Sequence, residues 1–479
     1  MTIERDYHLT EAPWQERPIS EGTRFLILNP DGSTDKIRDL SDPTTVTADF
    51  DAVCRAERYR QPASKDQEAA AHLSLMKKHA IAEFVPGTEQ GFLTYDPKGL
   101  VLMDGIENLV RGKYKASGRV SEIRTPSLLQ TNHPALLKYL ERFPAGQFRV
   151  GDEDFMPFAA CFGQFLLMSQ RELQEQNLPL GVLEIVRAFR REIPDTLRGL
   201  ERLQGFTMPD CHFFCKDMIQ TIEQVLAQFT LCQETMAALE LEPQMATRVT
   251  EEFYRENPDL FMTLADAHQK PVLLEIWKQS PAYFCFKLEL HCLDASQRRN
   301  IALSTVQIDP ENAGRFGIVY SDSHGNKRHP IITHNSLSGS LERVLWAILE
   351  KKGREIKAGR IPEWPYWLAP VQVRLLPFAA DQVGDCERLA QALSARVEVD
   401  DRTEIKIGRR VQAASQEWTP FTIVYGKKET EGEVLPVRNR QGEIANLTLD
   451  KLAQHLKELQ GDNPLLARRW PLLLSQQAL

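Results

Sequence analysis

The sequence predicts an α/β protein made of more than one unit. After Val371 strand-like and helix-like segments alternate to the last predicted helix. Upstream, residues 182–190 are rich in β-branched side chains, and residues 203–215 form a second strand candidate beyond a polar turn, Pro194-Asp195-Thr196. That spacing suits a long antiparallel hairpin. The third sign follows directly: Met218, Ile222, Val225, Leu226 and Phe229 recur at helical spacing, as on a core-facing helix.

The remaining elements follow in chain order. Residues 1–66 read as an appendage, a small accessory fold or partly ordered arm. A strand-like piece at 24–28 meets turn chemistry at Asn29-Pro30-Asp31-Gly32, and no strong core pattern is visible. Helical periodicity runs over 67–82 and again over 102–114, with a turn-rich stretch at 85–98 between them. Residues 120–123 predict a strand stopped by Thr125-Pro126, and strands follow at 283–292 and 302–308. The run 336–340 leads into a helix through Leu349, and a Gly/Pro/Trp-rich hinge spans 353–370. Beyond it come strands at 371–378, 396–399, 422–425 and 434–437, with helices at 385–395 and 449–459. Four regions result: 1–66, 67–352, a linker at 353–365, and 366–479.

Composition excludes several classes. The 479 residues hold 58 Lys+Arg against 66 Asp+Glu, a net charge of −8, which argues against a nucleic-acid binder with positive charge over its whole surface. Residues 366–479 carry 15 basic and 15 acidic side chains, so the whole deficit belongs to the rest. The first residues lack the apolar core of a secretory signal. The longest apolar run, 158–168, is interrupted by Gly163 and Gln164 and falls short of the ~20 residues a bilayer helix needs. Eight scattered cysteines without a CxxC pair are no disulfide framework and suit a reducing cytoplasm. Any metal site must therefore come from distant segments.

Three segments carry candidate chemistry. The first joins Arg190-Arg191-Glu192 to Asp210-Cys211-His212; the second is 304–309; the third holds His334 and Gly339 to Arg343. Arginines at the end of a strand suit phosphate, because the guanidinium donates bidentate hydrogen bonds. A surface ion-pair patch explains one such string equally well. Strand parity places His212 with Asp210 on one face and Cys211 with Cys215 on the other, so these neighbours make a poor chelate and the cysteines read as core.

Together these segments resemble the class II aminoacyl-tRNA synthetases, in particular the archaeal-type threonyl-tRNA synthetases. Further strings carry the resemblance at 95–99, 158–165, 205–210 and 367–373, and at Arg142-Phe143-Pro144. It runs from about His72 to Leu459, with the class's motifs ending at Pro126, spanning 184–214 and spanning 330–349. The resemblance implies an antiparallel sheet flanked by helices, followed by an α/β anticodon-binding domain. It implies ATP-dependent activation of threonine, pyrophosphate release and transfer to tRNA, with Mg²⁺ on the phosphates. Arg190 resembles the arginine that holds the α-phosphate, Glu192 the reader of the adenine amino group, Phe206 the stacking aromatic, and Arg343 the arginine over the other adenine face. Cys161, His212 and His334 match the ligands of one Zn²⁺, which would take threonine's amino and hydroxyl groups. Asp210, Lys287 and Gln307 match the amino-acid pocket. In the last domain Thr403, Glu429 and Arg438 match anticodon-reading positions, and Arg402, Lys406, Arg409, Arg410, Lys427 and Lys428 are candidate phosphate contacts. A cytoplasmic homodimer with Pro126 at its interface, and no membrane association, is expected.

The sequence also departs from the pattern. Gln204 stands where a second motif 2 arginine is expected beside the ATP phosphates, and the turn 194–197 lacks Gly-Glu character. Residues 1–66 are too short for the family's usual N-terminal editing domain, so activity without editing in cis is expected. Two alternatives stay open: a diverged paralogue that activates threonine or a related hydroxy amino acid for another acceptor, and a catalytically weak tRNA-binding or regulatory protein.

Overall fold

A computed structural model describes residues 22–36, 48–59, 70–142, 146–294 and 299–478. Residues 143–145, which include part of the string at 142–144, lie outside the described residues, as do 1–21, 37–47 and 60–69 of the predicted N-terminal segments. The strands of the main sheet are β1 (Arg24–Leu28), β2 (Thr34–Lys36), β3 (Val120–Glu122), β4 (Leu180–Phe189), β5 (Gly205–Cys215), β6 (Gln244–Thr250), β7 (Val272–Trp277), β8 (Phe286–Asp294), β9 (Arg299–Asp309) and β10 (Ile331–Ser336). Their order across the sheet is β2-β1-β7-β6-β8-β9-β10-β5-β4-β3. Pairing is antiparallel except for β3 with β4 and β6 with β7.

The predicted hairpin forms as β4 and β5, paired from Leu180↔Phe214 to Phe189↔Gly205. Its parity is the predicted one: Cys211, Phe213 and Cys215 enter the main core, whereas Phe214 joins a separate aromatic cluster on the other face. The helices that pack on the sheet or position the site include α1 (Ala48–Tyr59), α2 (Ala71–Lys78), α3 (Pro97–Ala116), α4 (Cys161–Met168), α5 (Met218–Ala238) and α6 (Leu341–Lys357). Tyr114 of α3, Phe229 of α5 and Trp346 of α6 bury into the main core on one sheet face. Helix α5 starts where the Asp217 side chain accepts the Gln220 N–H at 2.9 Å, and α6 where Ser340 accepts from Arg343 N at 3.3 Å. At Gly99 in α3 an added Cβ would lie 1.8 Å from the Ile81 carbonyl oxygen, so only glycine permits that approach.

Two of the predicted boundaries look different in three dimensions. The described part of the N-terminal segment, read as lacking a core pattern, is built into the sheet. Strand β1 pairs with β7 at Leu26↔Leu274, and Phe50, Val53 and Cys54 of α1 pack with Ile27 against Ala246 and Leu273. The hinge begins later than the glycine at 353 suggested, because α6 continues to Lys357. Gly353 there serves a close contact, since a Cβ would meet Ala71 of α2 at 2.3 Å.

The C-terminal unit is a five-stranded sheet of β11 (Val373–Pro377), β12 (Val397–Val399), β13 (Phe421–Tyr425), β14 (Val434–Arg438) and β15 (Ile444–Thr448). Its order is β12-β11-β13-β14-β15, parallel among the first three and antiparallel beyond. Trp364 and Trp367 belong to the main core, and Lys98 of α3 reaches Glu417 at 2.9 Å, so the two units meet through packed contacts.

Phe50 is fully buried between α1 and the sheet. Phe50→Ala is expected to cost about 3–5 kcal/mol, as a truncated core aromatic does, and to lower the melting temperature of the whole ten-stranded unit in calorimetry. A surface appendage would melt separately and leave that transition in place.

Candidate active site

The sheet face opposite α3, α5 and α6 carries a pocket of about 200 Å³ between β5, β8 and β9. Arg190, Glu192, Phe206 and Arg343 line it, with Lys287 and Gln307 at its other end. Arg190 follows β4, and its Nε donates to the Phe158 carbonyl at 3.1 Å while the guanidinium lies 5.0 Å from the Phe206 ring centre. Arg343, in the first turn of α6, donates to the carbonyls of Glu201 at 3.0 Å and Ala302 at 3.3 Å. Burial, with Arg343 nearby, pulls Arg190 down to about 10, and burial likewise lowers Arg343. Both remain cations at neutral pH, and their desolvation strengthens attraction for an entering anion.

Cys161, His212 and His334 converge beside this pocket, with donor atoms all within 4.8 Å of one another. Three elements bring them together: the start of α4, and the facing positions of β5 and β10, where His212 is paired directly with His334. Their outer partners define the tautomers. Asp309 accepts the backbone N–H groups of Glu311 and Asn312, each at 2.9 Å, and so is an acceptor to which His334 Nε2–H donates at 2.8 Å. Gln164 donates its Nε2 to the Asp210 carbonyl at 3.3 Å, which turns its Oε1 toward His212 Nδ1–H at 2.8 Å. The inner nitrogens, His212 Nε2 and His334 Nδ1, then face each other with lone pairs 3.0 Å apart. That is an arrangement for a cation, with the oriented outer shell that histidine ligands of metals possess. Burial lowers His212 well below its ordinary value, which keeps it neutral and able to ligate. Burial and the carboxylates of Asp210 and Asp309 push the Cys161 thiol up, a cost that a bound divalent ion reverses.

The predicted amino-acid pocket residues are near neighbours. Gln307 lies between Lys287 of β8 and His334 of β10 in the register. Its Oε1 accepts from the Tyr283 hydroxyl at 2.9 Å, and the Tyr283 ring sits 5.2 Å from that of His334. Sequence reasoning did not find Tyr283, whose only signal was its place at the mouth of a predicted strand. Asp210 shares the His212 face, and burial lifts its carboxyl to about 6.

Gln204 is a correction. Its side chain is spent on the backbone, with Nε2 donating to the Gln90 carbonyl at 2.6 Å and Oε1 accepting the Glu192 N–H at 3.1 Å. It braces the loop and does not line the pocket. The further cation comes from Arg202, two residues earlier, which lines the pocket and pairs with Glu192 at 2.7 Å. Strand alternation could not have separated the two, because it would put 202 and 204 on one face, and Arg202 lies in the turn before β5.

In the C-terminal unit Arg438 ends β14 and lines an open cavity of about 290 Å³ with Gln412, Asn439 and Arg440. Glu429 caps its own short helix by accepting the Gly426 N–H at 2.9 Å, and Thr403 lies in the turn after β12. Two of the proposed phosphate contacts are structural. Arg410 is 1% exposed and donates to the carbonyls of Asp400 and Pro377 at 2.8 and 2.9 Å, and Arg402 forks onto Asp400 with two 2.8 Å bonds. Lys406, Arg409, Lys427 and Lys428 are exposed.

Residues 154–352 match the model of the tRNA synthetase class II core domain (G, H, P, S and T), and residues 372–459 match the anticodon binding domain. The chain is 38% identical over 451 residues to a threonine–tRNA ligase of Nitrosopumilus maritimus, covering 92% of this chain and 72% of that one. It is 40% identical over 417 residues to that of Pyrococcus horikoshii, covering 85% and 66%. Among solved structures, the RNA binding domain of threonyl-tRNA synthetase from Cryptosporidium parvum superposes with a TM-score of 0.71 at 21% identity, covering 82% of this chain and 98% of that one. A Giardia lamblia prolyl-tRNA synthetase shares the fold at a TM-score of 0.63 and 16% identity, covering 81% and 80%.

The pocket floor offers a test in stability. Glu342 accepts the Thr207 N–H at 2.9 Å and the Tyr95 hydroxyl at 3.0 Å, and burial lifts its carboxyl to about 7 from an ordinary 4.5. The folded chain keeps a proton that the unfolded chain releases, so this group favours folding below pH 4.5 and loses that contribution as pH rises toward 7. Glu342→Gln should remove a one-proton slope of up to about 1.4 kcal/mol per pH unit. Melting curves between pH 5 and 8 should show the wild type losing stability relative to the variant as pH increases.

Proposed function

Because the chain belongs to the threonine–tRNA ligase family of class II aminoacyl-tRNA synthetases, we propose that it activates threonine with ATP and transfers it to a threonine-accepting tRNA. One observation supports this best: a Cys/His/His cluster adjoins an arginine-lined pocket on a single sheet face. In the reaction the threonine carboxylate forms a bond to the α-phosphorus, the bond to the β-phosphate bridge breaks, and pyrophosphate leaves with Mg²⁺. The step calls for positioning and charge stabilisation more than for an acid or base. Arg190 would hold the α-phosphate and Phe206 would stack on adenine. Glu192, released from Arg202, would accept from the adenine amino group. Arg202 and Arg343 would then balance charge on the outer phosphates and leaving group. The alternatives of a redirected paralogue or weak binder leaned on Gln204 and the altered turn at 194–197; Arg202 would supply the cation that Gln204 lacks.

Zinc fits the inner cluster, whose three donors leave coordination positions open. Bound there, Zn²⁺ would supply a Lewis-acid anchor for the amino and hydroxyl groups of threonine. Asp210 would accept from that hydroxyl, with Lys287 and Gln307 closing the pocket. Thr403, Glu429 and Arg438 would read the anticodon, helped by the exposed basic side chains around them. A homodimer fits the exposed Pro126 and the edge position of β3, beside a groove near Ile123 and Leu167. No helix among the described residues is long and apolar enough to cross a membrane. We place the reaction in the cytoplasm, which agrees with free thiols at every cysteine.

Pyrophosphate exchange followed by tRNA charging tests the reading. Threonine should be activated ahead of serine by about 10–200-fold, the range one missing methylene or methyl supports, and valine should be rejected more strongly because it lacks the hydroxyl. No exchange with any of the three refutes synthetase activity; exchange without charging of any tRNA points to another acceptor.

The purified chain should contain one zinc per polypeptide. Cys161→Ser is expected to lose the metal and the preference for threonine over valine. Unchanged metal content in that variant, measured by elemental analysis, removes Cys161 from the ligand set.

A further inference from the structure

Helix α1 reaches the substrate pocket through charge. Its buried side chains Phe50, Val53 and Cys54 are followed by Glu57 one further turn along the same stripe, so the face that packs on the sheet also delivers a carboxylate to it. Glu57 Oε2 pairs with Arg248 of β6, and its Oε1 accepts from Asn300 Nδ2 at 2.8 Å. Arg248 also donates to Glu275 at 3.1 Å and to Glu289. The other oxygen of Glu289 holds Lys287 Nζ at 2.8 Å, and both Lys287 and Glu289 line the pocket. The register explains the chain of contacts, because Glu275↔Arg248, Arg248↔Lys287 and Lys287↔Gln307 run straight across the sheet on one face.

Three carboxylates thus converge on one guanidinium, and buried charges of this kind persist only where they are paired. Burial works against ionisation of Glu57 and Glu289, yet Arg248 with His291 holds Glu57, and Lys287 with Arg248 holds Glu289, below the ordinary carboxyl range. We propose that Glu57 is a positioning residue for the amino-acid pocket: by occupying one arm of Arg248 it leaves only one oxygen of Glu289 engaged there and the other to hold Lys287 toward the substrate. The N-terminal segment therefore sets affinity for the amino acid as well as completing the sheet. This rests on the reading above that Lys287 meets threonine.

The test is a double-mutant cycle in threonine-dependent pyrophosphate exchange, with melting temperatures measured alongside. Glu57→Gln preserves shape and removes charge, and it should raise the KM for threonine about fivefold with kcat changed less than about twofold. In a Lys287→Ala background the same substitution should change KM by less than about twofold, because the two residues act as one unit. Glu289→Gln, which cuts the link from the pocket side, should raise KM in the same way and stands in if Glu57→Gln does not fold. Asp49→Asn breaks only the exposed pair with Arg354 at 3.8 Å on the same helix and should leave KM unchanged. A lower melting temperature for Glu57→Gln with an unaltered KM makes the helix a structural anchor and overturns the proposal, as do additive effects in the double variant. If Lys287→Ala itself leaves KM for threonine unchanged, the reading of Lys287 falls and takes this proposal with it. A silent Glu57→Gln beside an impaired Lys287→Ala sinks the proposal alone.

Discussion

The register between β5, β10 and β9 is the constraint on which the site depends. Pairing His212 with His334, and His334 with Gln307, puts three side chains of the candidate site in one row on one face. Because strand side chains alternate, a slip of one residue in any of these strands would turn its member of the row into the core behind the sheet. The register is held from that other side. Cys211 and Phe213 of β5 and Val306 and Ile308 of β9 are buried in the main core, so the apolar face that stabilises the sheet also decides where the chemistry points.

The same face explains how one site combines metal-type ligands with an anion pocket. Asp309 and Gln164 orient the histidine nitrogens inward, while Arg190 and Arg343 are tethered by backbone carbonyls at the far end. Each cation is thus placed before a ligand arrives, which reduces the reorganisation that binding and reaction require. The rest of the face is occupied by Arg248 and its carboxylates, so charge runs without a break from α1 to the pocket.

Much of this was legible in local patterns. The β4–β5 hairpin followed from two β-rich runs around a polar turn, and its parity correctly separated His212 from Cys211. Helices α3, α5 and α6 showed in apolar spacing. The strand at 24–28 was visible, but its place was not, because a five-residue strand carries no record of the partner it meets. Strands β6 and β7, of seven and six residues, fit helix and strand equally by themselves, so neither was legible before its partners were known. Gln204 shows the limit within the site. Its type and position suggested a weakened phosphate contact, and only the fold reveals that the loop uses it as a brace while Arg202 turns into the pocket.

The sequence by itself determined the class of elements, a C-terminal α/β region set off by a hinge, and the residue types able to bind phosphate, metal and amino acid. Motif resemblance extended this to named positions along most of the chain, and the family comparison agrees with the family it pointed to. Tertiary structure alone decided which side chains meet. Cys161 and His212 lie 51 residues apart, and His334 another 122 beyond, yet their donor atoms fall within 4.8 Å. Such proximity comes from sheet register and helix docking, which are long-range consequences of burying apolar faces, and no window of local sequence contains them. Tertiary structure also made Arg410 an internal brace rather than a surface cation, because the Pro377 carbonyl it holds belongs to β11, whereas Arg402 turns back onto Asp400 only two residues away.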